Sequence, residues 1–152
     1  MINCTHGGGS MKTRRIAAAA LSVVCSLSLA GCPLVGVPIT TVVLDNQATF
    51  PVEVVMYVGP DQNVLRDVLT AFGEEITVTV PAGATRVIRR NCDELQAVVI
   101  DNAKLLVLGG IGPEEDTQVL RDGSDFGCGD TIRFTFTDSA LFTNLDISTS
   151  IN

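Results

Sequence analysis

From about residue 40 onward, apolar and polar side chains alternate with a period of two. Val52, Val54, Met56 and Val58 fall on one side of an extended segment, with Glu53 and Tyr57 on the other. Ile76, Val78 and Val80 alternate with Glu75, Thr77 and Thr79, and Ile132, Phe134 and Phe136 are interleaved with Thr131, Arg133, Thr135 and Thr137. Successive side chains of a strand point to opposite faces, so each run predicts a strand with one face buried and one in water. Ala97 to Ile100 and Leu105 to Leu108 are apolar on both faces and predict two central strands, joined by a tight turn at Asp101-Asn102. Pro81-Ala82-Gly83 predicts another turn, leading into a strand over about Thr85 to Arg90. Edge strands are expected at Thr41 to Asp45, around Gln118 to Arg121, and at Leu145 to Thr149.

One segment breaks this period. Val64, Leu65, Val68, Leu69 and Phe72 recur at helical spacing, with Asp61 or Asn63 available as N-cap and Gly73 just past the end. This predicts a short helix over an open end of the sheets, with an irregular hairpin connection as the alternative. About eight short strands separated by turns, with one short helix, indicate an all-β fold, an antiparallel β-sandwich; a small barrel ranks second.

The first 31 residues follow a different pattern. Lys12, Arg14 and Arg15 precede an apolar stretch from Ile16 to Leu29, which ends in small residues. That is the three-part layout of an export signal. The apolar stretch of 14 residues is well short of the roughly 20 that a spanning helix needs. Pro33 and Pro38 keep it from lengthening. Residues 1–10, with Gly7, Gly8, Gly9 and Ser10, fit no part of such a signal and are read as an upstream over-extension before a start at Met11.

Leu29-Ala30-Gly31-Cys32 resembles the lipobox of bacterial lipoproteins. The resemblance implies a diacylglycerol thioether on Cys32, cleavage just before that cysteine, and membrane attachment through acyl chains. Ser28 and Ala30 also satisfy the small-x-small rule of ordinary signal cleavage, which would release a soluble chain from Gly31. On the lipoprotein reading, 1–31 is a removed export signal, 32–40 a lipidated tether and 41–152 the β-sandwich domain. In the family's better-known sorting systems an Asp after the modified cysteine retains the protein at the inner membrane. Pro33 stands there instead, which implies the outer membrane.

Cysteine parity bears on the same choice. Without Cys4 and Cys25 of the leader, Cys32, Cys92 and Cys128 remain, an odd number. In an oxidising compartment two of them pair, and lipidation of Cys32 accounts for the third. Cys92 and Cys128 both lie in turn-like surroundings, Asn91-Cys92-Asp93 and Gly127-Cys128-Gly129, and are expected to form a disulfide. A redox-active pair is disfavoured, because the two are distant in sequence and lack a neighbouring Lys, Arg or His.

From Cys32 to the end the chain holds all 17 acidic residues but only seven of the ten basic ones, a net charge of about −10. Such a charge opposes binding to nucleic acid. The only histidine, His6, lies in the leader, which removes His-based triads and His-ligated zinc from the mature chain. There is no Trp and one Tyr, so sugar-binding grooves and aromatic hot spots are poorly supplied. A paired-carboxylate hydrolase is the remaining enzymatic option, but the sequence offers no obvious cleft loops for one. The expectation is a non-enzyme.

The most suggestive polar stretch runs from Arg121 to Asp130. Asp122, Asp125 and Asp130 on a glycine-bent loop supply the oxygen ligands that Ca²⁺ takes. Phe126 occupies the place of a fifth-position ligand and no Glu closes the loop, so the EF-hand pattern fails. Ordinary turn chemistry, anchored by a disulfide, is the stronger account of Asp and Gly there. Arg86, Arg89 and Arg90 form the only basic cluster and, on alternating strand positions, are read as solvated or paired with neighbouring acids.

Cys128-Gly129-Asp130-Thr131-Ile132-Arg133-Phe134-Thr135-Phe136 and Cys92-Asp93-Glu94-Leu95-Gln96-Ala97 resemble stretches of uncharacterised lipoproteins of planctomycete-type bacteria. That resemblance implies a class and no activity. The expectation is a lipid-anchored cell-envelope protein acting as a structural or interaction module, with a possible envelope protein as partner. The alternative is a calcium- or small-ligand-binding β-sandwich without other cofactor.

Overall fold

The computed structural model describes residues 37–107, 110–139 and 143–152. In chain order these form β1 (Ile39–Asn46), β2 (Val52–Gly59), α1 (Arg66–Phe72), β3 (Glu74–Val80), β4 (Thr85–Asn91), β5 (Ala97–Leu105), β6 (Glu114–Glu115), β7 (Leu120–Arg121), β8 (Thr131–Asp138) and β9 (Leu145–Ile151). The signal, Cys32 and the first part of the tether lie outside the described residues.

Two sheets stack face to face as a β-sandwich. One has the order β4-β1-β8-β9; the other runs β3-β2-β5, with β6 and β7 each pairing a different stretch of β5's free side. The alternating residues meet between them. Leu44, Ile132, Phe134 and Phe136 from the first sheet and Val54, Met56, Val98 and Ile100 from the second are all fully buried. Each such side chain contributes about 1.5–3 kcal/mol on leaving water.

The buried Asn46 fastens the β1–β2 turn to the opposite sheet. Its Nδ2 donates to Phe50 O at 3.0 Å and to Val80 O at 2.9 Å, and its Oδ1 accepts from Ala48 N at 2.9 Å. A buried amide with these bonds made incurs little desolvation cost.

Four local expectations change. β1 is a central strand, flanked by β4 and β8, and it starts at Ile39. The signal was present in Val42-Val43-Leu44, which is buried on both faces. Second, β1 and β8 run parallel, so the sandwich is antiparallel everywhere except at this central pair.

Third, Asp101-Asn102 makes no turn. β5 runs unbroken through both residues, and Met56 and Val55 of β2 pair with Ile100 and Asn102, leaving Asp101 as an extra residue. This is a β-bulge, two residues facing one, and it moves the buried positions from 98 and 100 to 103 and 105. A polar pair between two apolar runs has the same composition in a bulge as in a turn.

Fourth, α1 lies on the outer face of the second sheet, with Leu69 packed against Ala97, Val99 and Val119. Its N-cap is Leu65, without a side-chain cap; Asp61 Oδ1 instead accepts from Asn63 N at 2.8 Å in the preceding turn. Gly73 does end the helix, but with φ of −71°. A Cβ there would meet Leu69 O at 2.5 Å and Val58 O at 2.9 Å, so glycine serves close approach.

Candidate functional site

The chain enters the sandwich at one end, where the Cys92–Cys128 bridge, the Glu74–Arg90 pair and the acidic loop also lie. Ile39 of β1 pairs with Asn91 at the end of β4, and Thr41 with Thr131 at the start of β8. Gln96 N donates to Gly59 O at 2.9 Å, and Asp122 N to Gln96 O at 2.8 Å. The second sheet thus brings the end of β2, the start of β5 and the acidic loop to the same place.

Cys92 and Cys128 are joined, with Cα atoms 5.4 Å apart. One follows β4 and the other precedes β8, so the bridge passes across the beginning of β1, which lies between those strands. Beneath it the buried Thr40 Oγ1 is 3.5 Å from Cys92 Sγ and accepts from Gly129 N at 3.4 Å. Cys92 N also donates to Pro38 O at 3.1 Å. Bridge and hydrogen bonds together hold the point where the chain leaves the fold.

The acidic loop is organised by its own backbone. Asp125 Oδ2 accepts from Arg121 N at 2.8 Å and from Ser124 Oγ at 3.3 Å. Asp130 Oδ2 accepts from Gly127 N at 2.7 Å. Gly123 and Gly129 have φ of +77° and +99°, conformations that side chains rarely adopt. Asp122, Asp125 and Asp130 are not gathered into one site, and no group of three or more His, Cys, Asp or Glu able to hold a metal exists among the described residues. Two of the three carboxylates serve as caps of separate turns, the ordinary role of Asp in such loops.

Arg86, Arg89 and Arg90 do not act as one cluster. Arg86 pairs with Leu44 towards the other end of β4, whereas Arg90 grips Glu74 with Nε at 3.3 Å and with Nη2. This ion pair joins the start of β3 to the end of β4, and hence one sheet to the other. The Arg90 hydrogen bond holds the Glu74 carboxyl below its ordinary range, against a smaller opposing effect of desolvation.

Similarity to known proteins is limited to architecture. No family model matches the chain, and no curated protein does. Solved structures with partial likeness to the chain include two. One is an NMR structure of a protein from Eubacterium rectale, with TM-score 0.45 and 13% identity over 72% of this chain and 88% of that one. The other is the T6SS lipoprotein TssJ1 from Pseudomonas aeruginosa, with TM-score 0.39 and 14% identity over 74% of this chain and 97% of that one. Likeness this loose says nothing of what the present chain binds.

Two features of α1 escape a reading by strand periodicity. Arg66 anchors α1, with Nη1 donating to Thr117 O at 2.7 Å and Nη2 reaching Asp101 at 3.0 Å and Asp116 at 2.8 Å. On the opposite side of the helix lies an apolar groove of about 190 Å³, bordered by Gly59, Pro60, Val64, Val68 and Phe72. Leu65 and Phe72, 70% and 86% exposed, stand open to solvent beside Val68. Helical spacing identified these residues; Leu69 is buried and Val64 partly buried against the same cluster, which leaves Leu65, Val68 and Phe72 exposed. No helix among the described residues is long and apolar enough to cross a membrane.

Proposed function

We propose that this chain is an exported lipoprotein, attached to a membrane of the cell envelope through acyl chains on Cys32, whose β-sandwich is a non-catalytic structural or interaction module. The observation that carries the reading is Leu29-Ala30-Gly31-Cys32 at the end of the apolar stretch that follows Lys12, Arg14 and Arg15. The Cys92–Cys128 bridge adds support, since it leaves Cys32 as the odd cysteine of the processed chain and fits an oxidising compartment. At about 0.8 kcal/mol per buried methylene, two or three acyl chains hold a protein to a bilayer for practical purposes permanently. Pro33 after the modified cysteine favours the outer membrane. A net charge of about −10 disfavours nucleic acid as a partner and favours a neutral or cationic envelope protein.

Metabolic labelling with an alkynyl fatty acid tests the anchor. Label is expected in the wild type and absent in Cys32→Ser, and intact mass should place the acyl groups on a chain beginning at Cys32. An unmodified chain in the soluble fraction, beginning at Gly31, would overturn the reading.

A further inference from the structure

The exposed apolar side of α1 faces the end from which the tether departs. Arg66 is held by Asp101 and Thr117, along β5 and away from that end. At 3.6 residues per turn, Val68 and Phe72 sit roughly 200° and 240° round the helix from Arg66, on its other side. The groove they border with Gly59, Pro60 and Asp61 is at the end of β2. Phe72 precedes Glu74 by two residues; Glu74 grips Arg90, which pairs with Thr40 of β1. Val37 and Ile39, 62% and 45% exposed, stand at this same end where the tether begins, with Ile39 bordering a polar hollow together with Glu74, Arg89, Arg90, Asn91 and Glu94.

The tether limits how far this surface can stray. Cys32 is five residues before Val37, so even a fully extended connection spans about 18 Å. Its residues, Pro33-Leu34-Val35-Gly36, carry no charge that would favour a distance from lipid.

We propose that Leu65, Val68 and Phe72 of α1 insert into the interfacial region of the lipid bilayer that carries the anchor, which fixes the sandwich with its entry end towards the membrane and the β5–β6 connection away from it. This rests on the acylation of Cys32 proposed above. The acyl chains supply the attachment, and the helix supplies the orientation. Because the domain is strongly acidic, the insertion is apolar and requires no anionic headgroup.

The absence of tryptophan makes the test direct. Acylated, processed protein beginning at Cys32 and carrying Phe72→Trp, or Ile111→Trp as the far-end control, is reconstituted in phosphatidylcholine vesicles with and without brominated acyl chains. Ile111 is 82% exposed in the β5–β6 connection, so both substitutions fall on exposed positions. Indole emission from the Phe72→Trp protein is expected to move to shorter wavelength on reconstitution and to be quenched at least twofold by bromolipid, while that of the Ile111→Trp protein stays as in water. Acylated, vesicle-bound Phe72→Trp protein whose indole remains water-exposed overturns the insertion and leaves the anchor standing. A shift in the same variant that is already complete without vesicles, in a species of dimer size, assigns the face to a second copy and also overturns it. A chain that intact mass shows to be unacylated defeats anchor and insertion together.

Discussion

Arg66 Nη2 lies 3.0 Å from the carboxylate of Asp101, the one residue of β5 that has no partner on β2. The bulge and the helix are therefore one device. The extra residue turns a carboxylate outward, and the first residue of α1 reaches it while also bonding Thr117 O and Asp116. A seven-residue helix has too few internal hydrogen bonds to persist alone. Its position depends on Leu69 below and Arg66 at the side.

Replacing Arg66 by Ala is expected to cost about 1–2 kcal/mol, because the bond to a backbone carbonyl is lost with both ion pairs. The pair with Asp101 contributes the smaller share. The two side chains are 33% and 39% exposed, and screening by water reduces such pairs to about 0.2–1 kcal/mol. Asp101→Asn should accordingly shift the urea midpoint less than Arg66→Ala. A larger loss for Asp101→Asn would show that the bulge, rather than the helix, is the stabilised element.

Removal of the Cys92–Cys128 bridge is expected to cost about 3–4 kcal/mol, the chain-entropy value for a loop of this size. Reduction by dithiothreitol and the double variant Cys92→Ala/Cys128→Ala should lower the thermal midpoint alike. Hydrogen exchange should rise first at Thr40 and Thr41, whose surroundings the bridge spans.

Gly73→Ala should destabilise by about 1–3 kcal/mol, in the range for overpacking at a tight site. The backbone conformation would suit alanine, so a conformational argument predicts a gain. Contact with Leu69 O and Val58 O decides against it. Urea titration gives the sign directly, and a stabilised variant would mean that α1 can move away from β2.

Tyr57 is the only tyrosine, so phenolate absorbance reports a single group. Its hydroxyl donates to Glu75 Oε2 at 3.0 Å, and that hydrogen bond, with a smaller effect of burial, raises its pKa above 10.0. In Glu75→Gln the midpoint should fall towards 10.0, because the charged acceptor is gone. The same midpoint in both proteins would place the hydroxyl in water.

Glu74 contributes to the acid limb. Its folded pKa lies below the ordinary 4.5 because Arg90 stabilises the charged form. A depressed carboxylate contributes stability that is fully present above the unfolded pKa and is lost as pH falls through the folded one. Glu74→Gln should therefore narrow the loss of stability between about pH 7 and the region below 4.5. The effect is expected to be modest, since the Glu74 side chain is 53% exposed.

The sequence by itself determined where the alternating strands lie and which face of each is buried. Period-two alternation is local, and it is imposed by the requirement that one side of every strand leave water. Val54, Met56, Ile132, Phe134 and Phe136 could thus be assigned to the core from the chain alone. The composition around Cys92 and Cys128 likewise made their pairing legible. Only the tertiary structure decided that β1 is central and parallel to β8, that Asp101 forms a bulge, and that Asp125 and Asp130 serve separate turns. Strand order and side-chain partners depend on which distant segments bury one another, and residues with the same local pattern satisfy several such arrangements. The open apolar side of α1 belongs to the second kind: its spacing announced a helix, but only the packing of Leu69 showed which of its residues the fold leaves uncovered.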